Sequence, residues 1–174
     1  MSPDGSWAIF IDQYNLYVHS LNEHPTRQYP LTFDGMKHYS YGVVPKSPEQ
    51  FMISQHFSLP VKPIGIWSPN SKLFLTHLLD ERDCQEIHLL QTVPEHQIKN
   101  NNSVEAHPTK VFSYRYPMVD ANIRFVELYI FNTESRRKTR IQLLNQLSSL
   151  PEIIFNSNNI QWHQNSQQMC IVDK

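Results

Sequence analysis

Short apolar runs of strand length, separated by polar turns, occupy most of the 174-residue chain. Trp7-Ala8-Ile9-Phe10-Ile11 is continuous and apolar, bounded by Asp4-Gly5 and Asp12-Gln13. Asn15-Leu16-Tyr17-Val18-His19 alternates, with Leu16 and Val18 on one face, and the short link between the two runs predicts a hairpin. Thr26 to Thr32 forms the next expected strand, with a partner from His38 to Val44 across the Phe33-Asp34-Gly35 turn. Residues 43 to 62 break the pattern: Pro45, Pro48, Pro60 and Pro63 punctuate a segment whose middle, Glu49 to Phe57, is amphipathic. An insertion of that kind inside a compact domain is usually functional or mobile. Regularity resumes with Ile64 to Trp67, Leu73 to Leu79 and Glu86 to Val93, then a loop rich in Asn and His from Pro94 to Pro108. Further strands are expected at Lys110 to Tyr116, Ile123 to Phe131, Lys138 to Leu144, Ile153 to Phe155, Asn159 to Trp162 and Met169 to Val172. Helix competes with strand only at Glu49 to Phe57 and at Arg140 to Leu150, so many short strands with turns between them favour an all-β chain.

One turn recurs inside this pattern. Ser2-Pro3-Asp4-Gly5-Ser6-Trp7 opens the chain, and Trp67-Ser68-Pro69-Asn70-Ser71-Lys72-Leu73 repeats it, each turn leading into an apolar β-prone run. A degraded third copy reads Trp162-His163-Gln164-Asn165-Ser166, followed by Met169-Cys170-Ile171-Val172. A strand, a tight turn and another strand at intervals is the mark of a radial β-architecture. Twelve prolines against four glycines leave Asn, Ser and Pro to form the turns, which their backbone preferences allow.

Composition narrows the class. A net charge of −1 and a charged fraction of 18% give no basic field for nucleic acid. The longest basic run, Arg136-Arg137-Lys138 with Arg140, reads as a solvated hairpin turn. Cys84 and Cys170 are far apart in sequence, and two cysteines make no disulfide scaffold, so both are expected as free thiols. No apolar stretch reaches the roughly 18 residues of a membrane span, and no basic-then-apolar signal segment opens the chain. The compartment stays open between periplasm and cytoplasm.

Set in order, the motifs resemble a specific family. Ser2-Pro3-Asp4-Gly5, Asn15-Leu16-Tyr17-Val18, Leu31-Thr32-Phe33-Asp34-Gly35 and Tyr41-Gly42 come first. Trp67-Ser68-Pro69-Asn70-Ser71, Tyr114-Arg115-Tyr116-Pro117 and Glu127-Leu128-Tyr129-Ile130-Phe131-Asn132 follow. This series resembles the N-terminal β-propeller of the dipeptidyl peptidase IV family of serine exopeptidases, in the prolyl oligopeptidase clan. The resemblance implies a propeller of four-stranded antiparallel blades above a separate α/β-hydrolase domain. Residues 1–174 are then expected as a single partial propeller of about two to three blades, with the catalytic domain absent.

The candidate chemistry follows from that expectation. No Gly-x-Ser-x-Gly nucleophile elbow is present, since the only glycines are Gly5, Gly35, Gly42 and Gly65. No catalytic residue is therefore assigned, and the chain alone is expected to be inactive. In the family, a pair of adjacent glutamates on a blade insertion holds the substrate's free amino terminus, because two carboxylates bind an ammonium by charge-assisted hydrogen bonds. The resemblance places that role between residues 43 and 66, where the only carboxylate is Glu49, followed by Gln50. Glu49 is thus the one substrate-binding candidate, set against the reading of an ordinary solvated glutamate. Asp80-Glu81-Arg82-Asp83 reads as a hairpin tip in water or as a lining of the propeller mouth. Nine histidines, at 19, 24, 38, 56, 77, 88, 96, 107 and 163, show no His-Glu-x-x-His pattern, so no metal is assigned and no cofactor is expected. Trp7, Trp67 and Trp162 flank the repeated turns and read as packing between blades.

The expected function is that of a non-catalytic propeller portion that gates and orients oligopeptide substrates for the catalytic domain of the same chain. The competing reading is a stand-alone β-repeat interaction module with no peptidase partner. Blades normally bury their faces against neighbours around a ring, so a partial ring is also expected to self-associate.

Overall fold

The computed structural model describes residues 1–22, 27–57, 61–91, 96–98, 104–106, 110–116, 124–142, 160–166 and 168–171. The strand expected at Ile153 to Phe155 and the helix alternative beyond residue 142 lie outside these residues. The chain divides into two compact units, residues 1–82 with 124–174, and residues 83–123.

The first unit begins with a three-stranded antiparallel sheet, ordered β1 (Trp7–Asp12), β2 (Asn15–Ser20), β3 (Gln28–Pro30). The β1–β2 link is a two-residue turn with Asp12 opposite Asn15, and both of its residues, Gln13 and Tyr14, have positive φ, 44° and 70°. Such turns match the strand twist but suit Asn-Gly far better than Gln-Tyr. The loop after β3 compensates. The Asn15 side chain accepts the Gly35 N–H at 2.8 Å, and Thr32 Oγ1 accepts the Leu16 N–H at 2.9 Å.

The second sheet runs β12 (Lys138–Arg140), β11 (Phe125–Asn132), β6 (Leu73–Asp80), β4 (Tyr39–Tyr41), with β5 (Ile66–Trp67) also on β6. β4 and β5 occupy successive stretches of the same edge of β6: Tyr39 to Tyr41 face Asp80 to Leu78, and Ile66 and Trp67 face Leu75 and Phe74. Together they act as one edge strand, interrupted by residues 42–65. With that composite strand counted once, this sheet has the four-strand plan of a blade. A hairpin of β13 (Ile160–Trp162) and β14 (Met169–Ile171) follows.

Burial explains the apolar run of β6. Leu16 and Val18 of β2 pack with Tyr29, Leu31, Tyr41, Phe74, Leu78, Tyr129 and Phe131, while Leu75 and Leu128 pack with Ile160 and are flanked by Trp162 and Met169. Successive side chains of a strand point to opposite faces. The second sheet therefore buries one face against the first sheet and the other against the β13–β14 hairpin. A strand covered on both sides reads as a continuous apolar stretch, here Leu73 to Leu79, broken only by Thr76 and His77. Trp7 and Trp67 flank the first cluster, and Trp7 meets Tyr29 edge-on at 6.2 Å. The described strands are small antiparallel sheets of a partial propeller and close no ring.

In the second unit, β7 (Glu86–Gln91) pairs with β10 (Lys110–Arg115), and β8 (His96–Ile98) with β9 (Val104–Ala106). The latter hairpin lies where the sequence reading expects only a loop. Its one apolar cross-strand pair, Ile98 with Val104, is masked in the sequence by polar neighbours. The strands expected at Thr26 to Thr32, His38 to Val44 and Lys138 to Leu144 are shorter than the β-prone runs that suggested them, because these segments leave the ladder while their partners β2, β6 and β11 run on.

Candidate functional site

Residues 42–65 leave the middle of that composite edge strand, and their ends are tied to β6. The Gly42 N–H donates to the His77 carbonyl at 2.8 Å, and the Ile64 N–H donates to the Gly42 carbonyl at 2.9 Å, closing the neck. The His77 ring reaches the Val43 carbonyl at 2.8 Å, and a carbonyl can only accept, so Nε2 carries the proton. Thr76 Oγ1 donates to the Ile64 carbonyl. Thr76 and His77 are both fully buried. Burial pushes the His77 imidazole down to about 4, against the smaller upward pull of the Val43 bond, so it is neutral at pH 7.

The excursion carries the helix α1 (Pro48–Phe57). Its start is written in Ser47-Pro48-Glu49-Gln50, a capping box with proline at the first helical position. The Gln50 N–H donates to Ser47 Oγ at 3.2 Å, and the Ser47 N–H donates to Gln50 Oε1 at 3.0 Å. Gln50 is thereby occupied in the cap. Glu49 is exposed in the first turn, where a carboxylate is favoured by the helix dipole. Glu49 is the one carboxylate within residues 42–65, with no second acid beside it. A single carboxylate can accept charge-assisted hydrogen bonds from an ammonium but fixes its direction less tightly than two.

Around the exit of β4 lies a polar and aromatic cluster that the sequence reading does not single out. The Tyr41 hydroxyl donates to both Asp34 carboxylate oxygens, at 3.0 and 2.9 Å, and Lys138 Nζ donates to the same hydroxyl and to Asp34 Oδ2 at 3.2 Å. Lys138 also lies 4.6 Å from the centroids of Tyr41 and Tyr129. Partial burial raises the Asp34 carboxyl, but the Tyr41 bond and the Lys138 charge outweigh it and hold the group below its usual range. Burial first, then the bond to Asp34, pushes the Tyr41 phenol above its ordinary value. These groups pin the loop after the first sheet onto the second. The only sequence signals were the Phe33-Asp34-Gly35 turn and Tyr41-Gly42, which name two members but not their contact with Lys138.

The Asp80-to-Asp83 run is no hairpin tip. Arg82 grips Asp80 with two bonds, at 2.9 and 2.6 Å, and lies 4.3 Å over the Tyr39 ring. Glu81 pairs with Arg124, both side chains largely buried at 17% and 10% exposure. This ion pair joins the end of β6 to the start of β11, so these charges are structural. Cys84 is buried and Cys170 exposed, and neither forms a disulfide. Among the described residues no three metal-ligating side chains cluster, and no helix is long and apolar enough to cross a membrane.

Stacked antiparallel sheets joined by a repeated turn define part of a propeller domain. The chain belongs to the family described as the dipeptidyl peptidase IV (DPP IV) N-terminal region, which it matches over residues 1–173. Among solved structures it is similar to Porphyromonas gingivalis dipeptidyl peptidase 4, at 17% identity and a TM-score of 0.64, over 98% of this chain and 21% of that one. It is also similar to a putative dipeptidyl aminopeptidase IV from Bacteroides ovatus, at 18% identity and a TM-score of 0.52, over 92% of this chain and 18% of that one. The chain thus spans about a fifth of the length of these structures. No match was found among curated protein sequences.

Proposed function

We propose that this chain is the non-catalytic propeller portion of a dipeptidyl peptidase IV-like serine exopeptidase. In the parent it narrows access to a catalytic domain and orients oligopeptides by their free amino terminus, with Glu49 as the single anchoring carboxylate. The observation that carries this reading is the excursion itself: a capped helix with an exposed acid in its first turn, on a segment that leaves the edge strand and is tied to β6 at Gly42, Val43 and Ile64. Those ties fix where the excursion leaves and rejoins the sheet.

The test is an NMR titration of the chain with a tripeptide bearing proline at the second position, with and without N-acetylation. The free amine is expected to shift the amide signals of Glu49 and its helical neighbours, and the acetylated peptide to leave them unmoved. Glu49→Gln is expected to abolish the difference, because a neutral amide forms no ion pair. Equal shifts from the two peptides, or no shift from either, would overturn the anchor.

A further inference from the structure

The three repeated turns share one internal geometry. The residue at the first position accepts the N–H of the fourth: Gly5 to Ser2 at 3.0 Å, Ser71 to Ser68 at 2.9 Å, Ser166 to His163 at 2.9 Å. Its own N–H donates to the carbonyl of the residue five further on, Trp7 at 2.8 Å, Leu73 at 2.8 Å and Gln168 at 2.9 Å. In the first two turns the third residue, Asp4 or Asn70, accepts the first-position hydroxyl through its side chain, at 2.6 and 2.7 Å. The third copy, degraded in sequence, is intact in its backbone.

The fourth position is left-handed in every copy, with φ of 73° at Gly5, 61° at Ser71 and 58° at Ser166. Glycine adopts that conformation freely, whereas a residue with a Cβ adopts it against steric strain. The chain nevertheless places serine there twice. Both serines are buried at 3% exposure, and both hydroxyls face the preceding turn. Ser71 Oγ accepts the Asp4 N–H at 3.1 Å, across 67 residues of sequence. Ser166 Oγ accepts the Asn70 N–H at 3.1 Å, across 96 residues. The two bonds are the same bond, made once at each junction.

We infer that Ser71 and Ser166 are latches between successive sheets, each later turn supplying a hydroxyl acceptor to the third-position N–H of the turn before it. The polarity is fixed, since Gly5 has no hydroxyl and the first turn acts only as donor. The latch does what apolar packing alone does not. Burial between sheets is non-directional and tolerates sliding, whereas one hydrogen bond at the rim sets the offset of each sheet on the next. A second tie on the first junction agrees with this. The Tyr29 hydroxyl donates to the Thr133 carbonyl, and the Thr133 N–H donates to the Lys72 carbonyl at 3.0 Å, so the second turn is braced from both sides.

Ser71→Gly and Ser166→Gly separate this role from a purely local one. Glycine already occupies this position in the first turn, so both variants are expected to fold. If the serines served only their own turns, glycine would relieve strain, raise stability in denaturant, and leave hydrogen exchange in the neighbouring turn unchanged. A latch gives the opposite pattern. Exchange at the Asp4 amide is expected to speed up on the order of tenfold in Ser71→Gly, with Asn70 unaffected. In Ser166→Gly the Asn70 amide speeds up and Asp4 does not. Unchanged exchange at the facing amide, or equal acceleration of both amides in either variant, would overturn the inference.

Discussion

Replacing Gly65 by alanine is expected to destabilise the chain by about 3 kcal/mol, among the largest effects of any single methyl group here. A Cβ at that position would lie 2.3 Å from Phe74 Cζ and 2.4 Å from the Leu75 carbonyl oxygen. The phenyl ring could swing away, but the carbonyl belongs to β6, and Leu75 faces Ile66 in the ladder. Making room means lifting β5 off β6, which opens the neck where the excursion returns. Gly5→Ala is the control. Nothing lies within 4 Å of a Cβ there, and only its φ of 73° is unfavourable. A cost of about 1 kcal/mol is expected for that variant. Urea denaturation followed by circular dichroism measures both. Equal stability losses would mean that close contact of β5 and β6 at Gly65 is not what the strand requires.

The second large effect is a loss of stability in mild acid that depends on His77. In the unfolded chain its imidazole takes up a proton near 6.5, whereas burial delays protonation in the folded chain until about 4. Between those values the unfolded state binds more protons, so stability falls as pH falls, by about 3 kcal/mol for this one group. Protonation also strands a charge in a fully buried site beside β4 and β5. His77→Gln keeps an N–H at the reach of Nε2 for the Val43 carbonyl and removes the titration. The variant is expected to show a shallower decline between pH 7 and 4 than the parent chain. Parallel profiles would show that His77 does not titrate in this window.

These two residues also show which parts of the fold were legible beforehand. Hairpin strands such as Trp7 to Asp12 and Asn15 to Ser20 announce themselves because their partners are neighbours and the turn between them is short. The Ser-Pro-Asp/Asn turns were legible for the same reason, since every bond that closes them is local. The helix at Pro48–Phe57 was open in the sequence only as an alternative to strand, and the local capping box at Ser47 to Gln50 marks its start. The split edge strand was not. That β4 and β5 share β6 depends on pairings with Leu78 to Asp80 and with Phe74 to Leu75, which no local pattern encodes. The Asp34, Tyr41 and Lys138 cluster was hidden likewise, because Lys138 stands 97 residues from Tyr41 and 104 from Asp34. The hydroxyls of Ser71 and Ser166 read in sequence as turn residues, and only their partners in the preceding turn reveal a second use.

The proposed function gives this chain scaffold and orientation and leaves bond cleavage to a catalytic domain. Incubation of the purified chain with a chromogenic dipeptide carrying proline at its second position tests that division most directly. No release of the chromophore above the uncatalysed rate is expected, at any chain concentration. Hydrolysis that rises in proportion to the chain, and persists in independently purified samples, would contradict it.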